Sequence, residues 1–244
     1  MAKALDLLDY IVDGSRSLGE LASLSGLPKS TTHRLAGVLL LHGFLRNEGN
    51  RYFLGYRLME LGEVAKRQIH LPSLARKHML ETSAVTHETL HLGELVGTDI
   101  IYLEKVEGGR GLLMRSRVGL TAPARTTAMG KAIVAHLPEE NWPQYFVEAE
   151  ARTPNTIATI DGFLAELRAT RERGYAFDRE ENEVGICCVA APIRDAEGRV
   201  MAAVSVSGAV VYLPPERLET LARAVVQCAN AVSRELGGPA LEDA

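Results

Sequence analysis

The chain lacks the features that mark a secreted, membrane-spanning or low-complexity protein. Its 244 residues include only three cysteines, at positions 187, 188 and 228, and two of these are adjacent, so the spacing does not indicate a disulfide framework. The longest stretch without a charged side chain, residues 200–215, is too short to cross a bilayer as a helix. The first 13 residues carry three aspartates and lack the apolar core of a secretory signal. We therefore expect a cytoplasmic protein that makes no contact with a membrane.

An excess of positive charge, which would indicate nucleic-acid binding, is also missing from the chain as a whole. The 27 lysines and arginines are outnumbered by 31 aspartates and glutamates, which gives a net charge of −4. The distribution along the chain is uneven, because residues 27–57 contain five basic side chains against one acidic side chain, Glu48. Positive charge that is concentrated in one segment indicates a local anion-binding surface. The length of the chain is comfortable for two domains.

The basic segment has the sequence layout of a helix-turn-helix. Ser17 followed by Glu20 is a capping-box signature that opens a first helix, and Gly26 ends that helix. A second helix follows Pro28, has polar side chains in its first turns, and ends at Gly43. In this motif the second helix lies in the major groove of DNA, with its N-terminal residues at the base edges.

Two short strands around a turn at residues 48–50 follow the second helix, and a basic ribbon in this position is typical of a wing that touches phosphate or the neighbouring groove. The residues that we predict to bind DNA are the base readers Thr31, Thr32, His33 and Arg34, the phosphate contacts Lys29, Arg46 and Arg51, and Ser30 beside them. An ordinary helical hairpin with a solvated basic face is the alternative interpretation of the same segment.

The remaining pattern predicts an α+β protein in which an antiparallel sheet is flanked by helices. We expect a helix over 2–12 to pack behind the helix-turn-helix, and a helix over 56–68 to link it to the rest of the chain. Further helices are expected over 72–87, 126–137, 142–148, 160–173 and 214–236, and strands over 89–95, 99–106, 111–118, 185–194 and 199–212.

Two of these strands carry polar residues where buried strands are usually apolar. Alternation along a strand places Ser205 and Ser207 on one face, and it places the adjacent cysteines 187–188 on opposite faces, so only one cysteine can share a cavity with the serines. Asp178 precedes these strands and can accept hydrogen bonds from ligand hydroxyls. Gly130 lies at a predicted helix N-terminus, whose free N–H groups suit an anion. Serines that face solvent or satisfy a backbone group are the alternative explanation.

Ordered motifs run along both halves of the sequence. The N-terminal part carries GLPKSTTHRL, HGFL and YFLGYRLMELG, and the C-terminal part carries HETLHLGEL, RSRVG, TTAMGKA, GYAFDREENEVGICCVAAPI and AAVSVSG. In these motifs nearly the whole chain resembles the IclR family of bacterial transcriptional regulators. The resemblance implies a winged helix-turn-helix over 1–55, a linker helix over 56–70, a GAF/profilin-like effector domain over 71–238 and a tail over 239–244. It also implies homodimers or homotetramers, palindromic double-stranded DNA operators, and small organic acids as effectors.

The resemblance also assigns residues to the effector site. It implies side-chain contacts from Asp178 in GYAFD, Cys188 in GICCVAA, and Ser205 and Ser207 in SVSG, and backbone contacts from Ala128 and Met129 in the loop before Gly130. The motifs are most similar to those of members that respond to 2-keto-3-deoxygluconate and related sugar acids, although regulators of aromatic-acid catabolism share several of them. Members that respond to glyoxylate tend to have Gly-Ala where this chain has the bulkier Ala128-Met129, which argues against glyoxylate.

An enzymatic function is not expected. Cys188 has no recognisable base near it in the sequence, so nucleophilic catalysis is not indicated. His87 and His91 are four residues apart, but the segment is a predicted strand by His91, so the helical spacing of metal ligands is absent. Arg115 and Arg117 on one strand face are more typical of a solvated edge or subunit contact than of an anion clamp. We expect the protein to bind no metal and no cofactor and to act as a repressor. The alternative function is that of a regulator that binds DNA without any ligand.

Overall fold

The computed structural model describes residues 2–110, 114–147 and 151–240. The chain divides into two compact units, Met1–Ile69 and His70–Ala244. The predicted α+β architecture is confirmed, with a helix-turn-helix in the first unit and an antiparallel sheet with helices in the second. The helix predicted as a linker lies within the first unit, and of the predicted tail over 239–244 only residues 239–240 are described.

The first unit is a winged helix-turn-helix. Its elements are α1 (Ala2–Asp9), β1 (Arg16–Ser17), α2 (Leu18–Ser25), α3 (Lys29–Leu41), β2 (Leu45–Glu48), β3 (Arg51–Leu54) and α4 (Tyr56–Gln68). The strands form an antiparallel sheet in the order β1-β3-β2. Leu7 of α1, Leu21 of α2 and Leu39 of α3 are buried in one core, so the first helix packs behind the motif as predicted, although it ends at Asp9 rather than at residue 12.

The ends of the two central helices follow the sequence signals. The Ser17 hydroxyl accepts a hydrogen bond from the Glu20 amide at 3.3 Å, and the Glu20 carboxylate accepts one from the Ser17 amide at 2.6 Å, which completes the capping box. Gly26 has φ +65° and Gly43 has φ +74°, a left-handed conformation that glycine adopts without steric cost. The predicted helix ends are therefore confirmed.

The second unit contains a six-stranded antiparallel sheet in the order β6-β5-β4-β9-β8-β7. Its strands are β4 (Thr89–Val96), β5 (Asp99–Val106), β6 (Thr121–Pro123), β7 (Ala176–Arg179), β8 (Ile186–Arg194) and β9 (Val200–Ala209). Its α-helices are α5 (Leu71–Thr86), α6 (Ala128–Val134), α7 (Ile160–Arg173) and α8 (Pro215–Glu235), with short 3-10 helices at Glu139–Tyr145 and Val210–Tyr212.

Helices cover both faces of this sheet. Met79 of α5 and Val225 of α8 share a core with Val204 and Val206 of β9. On the other face α6 and α7 share a second core with Ala203 of β9. Side chains alternate along β9, so Ser205 and Ser207 point to the same side as Ala203. That side is the face that α6 covers.

The structure corrects two elements of the predicted pattern. Residues 114–118 are not a strand. The carbonyl oxygens of Met114 and Ser116 accept hydrogen bonds from the Lys105 ammonium at 3.3 and 2.9 Å. The rest of that predicted strand, 111–113, lies outside the described residues, and the sheet instead gains β6. The helix predicted over 142–148 is a 3-10 helix over Glu139–Tyr145 that contains Pro143, which has no amide N–H for an α-helical hydrogen bond. Residue 148 is not among the described residues.

Candidate functional site

Polar side chains form a row across three neighbouring strands on the α6 face of the sheet. In the antiparallel register, Asp178 of β7 lies opposite Cys188 of β8, and Cys188 lies opposite Ser207 of β9. Residues that are directly opposite in adjacent strands point to the same face. Ser205 is two residues from Ser207 and joins the same face. The sheet therefore brings together four residues that are up to 29 positions apart in the sequence.

The two adjacent cysteines separate as the strand geometry requires. Cys187 is buried in the core that α5 and α8 share, whereas Cys188 packs on the α6 side. Burial raises the pKa of the Cys188 thiol well above its ordinary value, and the nearby Asp178 carboxylate adds to the effect. The prediction that only one cysteine faces the serines is thus confirmed, and that cysteine is Cys188.

These residues line a cavity of about 380 Å³. The predicted residues at its wall are Ala128, Met129, Asp178, Cys188, Ser205 and Ser207. Gly130 is not at the wall. Its amide donates to the Thr127 hydroxyl at 3.1 Å, and a Cβ at this position would overlap the carbonyl group of Ala124. The glycine is therefore required for close packing of α6 rather than as a donor to the cavity.

Asp178 is almost completely buried at the cavity wall. Its carboxylate accepts hydrogen bonds from the amide of Glu181 at 2.7 Å and from the amide of Asn182 at 3.3 Å. Burial raises the pKa of Asp178 to about 7, against the opposing effect of the Lys131 ammonium. Near neutral pH this side chain can therefore exist as a hydrogen-bond donor or as an acceptor.

His91 of β4 is a wall residue that the sequence analysis did not assign. Its register partner is Ser205, its Nε2 lies 2.7 Å from the Ser116 hydroxyl, and its Nδ1 lies 3.4 Å from the Ser207 hydroxyl. Burial, with a smaller contribution from the Lys105 ammonium, lowers the pKa of His91 to about 3, so the imidazole is neutral at physiological pH. The ring of Tyr102 packs edge-on against it at 5.2 Å. A histidine among apolar residues of a buried strand was the available signal.

Two arginines lie at the wall near solvent. Arg115, which was expected at a solvated edge, keeps 91% of its side chain exposed and lies 3.9 Å from the Glu183 carboxylate. Arg152 donates to the carbonyl oxygen of Asn182 at 3.1 Å. The predicted residues and His91 thus offer the cavity the hydroxyls of both serines, a carboxyl group, a thiol and a neutral imidazole, with guanidinium groups at its border. This donor and acceptor set suits a small polar acid.

The outer face of α3 carries most of the predicted DNA contacts. Lys29, Ser30, His33 and Arg34 are exposed, and Thr31 is partly exposed. Thr32 is not available to a base, which corrects its predicted role. Its side chain is completely buried, and its hydroxyl donates to the carbonyl oxygen of Pro28 at 3.2 Å, because the helix turns this position towards the core.

The wing arginines contact the protein itself. Arg46 forms an ion pair with Glu48 and stacks over the rings of Phe53 and Tyr56 at 4.5 and 5.5 Å. Arg51 donates to the hydroxyl and carbonyl oxygens of Ser15 at 2.9 and 2.7 Å. Both side chains remain partly exposed, so the contact with phosphate is still a prediction for each of them.

Within the described residues, no group of three or more histidine, cysteine or acidic side chains could hold a metal ion. No helix in the described part of the chain is long and apolar enough to cross a membrane.

Comparison with known proteins agrees with this organisation. Residues 1–49 match the IclR helix-turn-helix domain, and residues 64–234 match the C-terminal domain of bacterial IclR transcriptional regulators. The chain is 36% identical over 244 residues to the HTH-type transcriptional regulator XynR of Escherichia coli, covering 98% of this chain and 97% of XynR. It is 32% identical to the DNA-binding transcriptional repressor YiaJ of the same organism, covering 93% and 83% of the two chains. The crystal structure of the Thermotoga maritima IclR protein is similar with a TM-score of 0.66 and 37% identity, covering 97% and 98%.

Proposed function

Because this chain belongs to the IclR family of bacterial transcriptional regulators, we propose that it represses a catabolic operon and that a small carboxylic acid controls it by filling the cavity beside Ser205 and Ser207. The protein is a DNA-binding helix-turn-helix regulator and not an enzyme. The repressor role is supported by a relative that bears that name. We further propose that it acts in the cytoplasm, where its DNA is.

The polar row of Asp178, Cys188 and Ser207 is the observation that carries the effector proposal. Buried polar groups cost free energy unless hydrogen bonds satisfy them. A regulator without a ligand gains nothing from such a row beside a cavity of about 380 Å³. A ligand with several hydroxyls and one carboxylate can pair with the serines and the carboxyl group inside, while its charge meets the border arginines. We therefore favour a sugar acid over an aromatic acid.

We propose that DNA is bound by a homodimer, or by a homotetramer built from dimers. A two-fold axis would place two α3 helices in successive major grooves of a palindromic operator, about one helical turn apart. His33 and Arg34 would reach base edges, with Thr31 and Ser30 beside them, and Lys29 would contact phosphate. Effector binding would act through α4 on the spacing of the two helices and so on operator affinity.

Thermal unfolding with a panel of sugar acids, short 2-oxo acids and aromatic acids tests the effector proposal. A ligand at 100 times its Kd stabilises the native state by about 2.7 kcal/mol, which raises the midpoint by roughly 5–10 °C for a chain of this size. We expect a sugar acid to produce the shift. The Ser205→Ala/Ser207→Ala double variant is expected to lose it, because the hydroxyls that hold the ligand are removed.

Ser73→Ala is the matched control, since this serine is exposed on α5 and is not at the cavity wall. The control is expected to keep the full shift. A shift that survives in the double variant would place the effector elsewhere. A shift with aromatic acids alone would replace the sugar-acid assignment, and the absence of any shift across the panel would favour the ligand-independent regulator.

A further inference from the structure

A second, smaller cavity of about 170 Å³ lies near the first, and Arg152 is at the wall of both. Arg125, which follows β6, is also at its wall and keeps only 7% of its surface exposed. The sequence motifs assign no role to this arginine.

The guanidinium of Arg125 has few partners for a buried cation. Its Nη1 donates to the carbonyl oxygen of Val147 at 3.0 Å, and its Cζ stacks over the ring of Phe146 at 5.0 Å. Within the described part of the chain, no carboxylate oxygen lies within 4.0 Å of its nitrogens. Another buried cation of this unit, Lys131, does have a carboxylate partner: its completely buried ammonium lies 2.5 Å from the Glu181 carboxylate.

A buried charge without a counter-charge is costly, so a cavity in front of it is a position where an anion is stabilised. Asp99 is also at the cavity wall, but it forms no ion pair within 4.0 Å with Arg125 or Arg152. Among the described residues at this wall, two guanidinium groups stand against one carboxylate. The planar fork of a guanidinium matches carboxylates and tetrahedral oxyanions with two parallel hydrogen bonds.

We propose that this cavity is a second ligand site, which binds a small carboxylate or an inorganic oxyanion through Arg125. The proposal stands apart from the effector assignment, because neither serine lies at this wall. The shared Arg152 makes the two sites neighbours, so an anion in one lowers the positive potential that the other offers to a second anion.

The test measures line broadening of the acetate methyl resonance, and separately of the phosphorus resonance of inorganic phosphate, as protein is added. All samples share one ionic strength, set with sodium chloride. The full-length Ser205→Ala/Ser207→Ala variant is used beside the wild type, so that binding in the effector cavity is weakened. We expect saturable broadening with at least one of the two anions in both proteins, and the anion that broadens identifies whether the site selects carboxylates or phosphate.

Arg125→Lys keeps the charge but loses the fork, and we expect binding about tenfold weaker, which corresponds to one charge-assisted hydrogen bond. Asp99→Asn removes the competing carboxylate, and we expect tighter binding. Equal broadening in Arg125→Lys would overturn the proposal. If Arg125→Lys does not fold, Asp99→Asn tests the proposal instead. Unchanged or weaker anion binding by Asp99→Asn, together with a loss of stability, would identify Asp99 as the internal partner of the arginines and would overturn the anion site. If no acid in the panel shifts the thermal midpoint but acetate or phosphate still broadens, only the effector assignment is overturned and the second site stands.

Discussion

The two units present their candidate binding residues in opposite ways. In the first unit, six consecutive positions of one helix, 29–34, carry most of the predicted DNA contacts, and four of them are exposed. In the second unit, three successive strands contribute Asp178, Cys188 and Ser205 to the wall of a cavity, and Asp178 and Ser205 are buried. The first kind of surface can be altered with little effect on folding, whereas the second is part of the core that holds the unit together.

The largest expected effect is on stability in the second unit. Replacement of Lys131 by alanine leaves the buried Glu181 carboxylate without its 2.5 Å partner, and loss of one member of a buried pair costs about 3–5 kcal/mol. Urea unfolding measures this. Lys29→Ala, on the exposed face of α3, is the matched lysine control and is expected to change the free energy of unfolding by less than about 0.5 kcal/mol. Equal losses of unfolding free energy in the two variants would contradict the view that the exposed face of α3 tolerates substitution and the interior of the second unit does not.

The second prediction concerns pH. Asp178 has a pKa of about 7 in the folded protein and 3.8 as its ordinary value, so between these values the folded state binds a proton that the unfolded state has released. Its contribution to stability therefore falls as pH rises from about 4 to 7, by an amount of the order of 4 kcal/mol. Asp178→Asn is expected to remove this decline.

His91 acts with the opposite sign, because its pKa is lowered from 6.5 to about 3 and its contribution is lost as pH falls through that range. The two effects offset one another between about pH 4 and 6.5. Unfolding free energies of wild type, Asp178→Asn and His91→Gln across pH 4–8 separate them. A slope in Asp178→Asn that equals the wild-type slope would show that the carboxyl group titrates normally.

A smaller and more specific effect is expected in the first unit. Arg34→Ala should relax sequence preference at one operator position by about 1–3 kcal/mol, because an arginine at a base edge discriminates between base pairs. Binding to operator variants with single base changes measures this. The stability of the protein should be unaffected, since Arg34 is exposed. Uniform weakening on every sequence would assign Arg34 to the phosphate backbone.

The smallest effect is expected for Arg51→Ala. A phosphate contact predicts that the slope of log affinity against log salt decreases by about one for all DNA sequences. The hydrogen bonds to Ser15 predict, in addition, a stability loss of up to about 1 kcal/mol, because the side chain is half exposed. An unchanged salt slope with lost stability would show that this arginine only fastens the wing to the segment before α2.

The sequence predicted those features that local chemistry determines. The capping box at Ser17, the glycine helix ends and the bounds of α4 and α7 all depend on residues a few positions apart, and the structure confirms them. Strand alternation also predicted correctly that only one of the two adjacent cysteines shares a face with Ser205 and Ser207, since a period of two needs no knowledge of the partner strands. The choice of Cys188 came from the family resemblance.

Features that depend on distant partners were missed. The Lys105 ammonium on β5 bonds the carbonyl oxygens of Met114 and Ser116, and no local sequence pattern indicates that contact. Thr32 was misassigned because a polar residue in the first turns of α3 was assumed to face outward, although the helix turns it inward. His91 reaches the cavity only because β4 pairs with β9, a pairing between segments more than a hundred residues apart.

The high pKa of Cys188 has a consequence for the signals that this cavity can receive. Oxidants and electrophiles attack thiolates, and a thiol that burial and a neighbouring carboxylate keep protonated is a poor target for them. The sulfur therefore contributes shape and a weak hydrogen bond to the wall without making the cavity a sensor of peroxide.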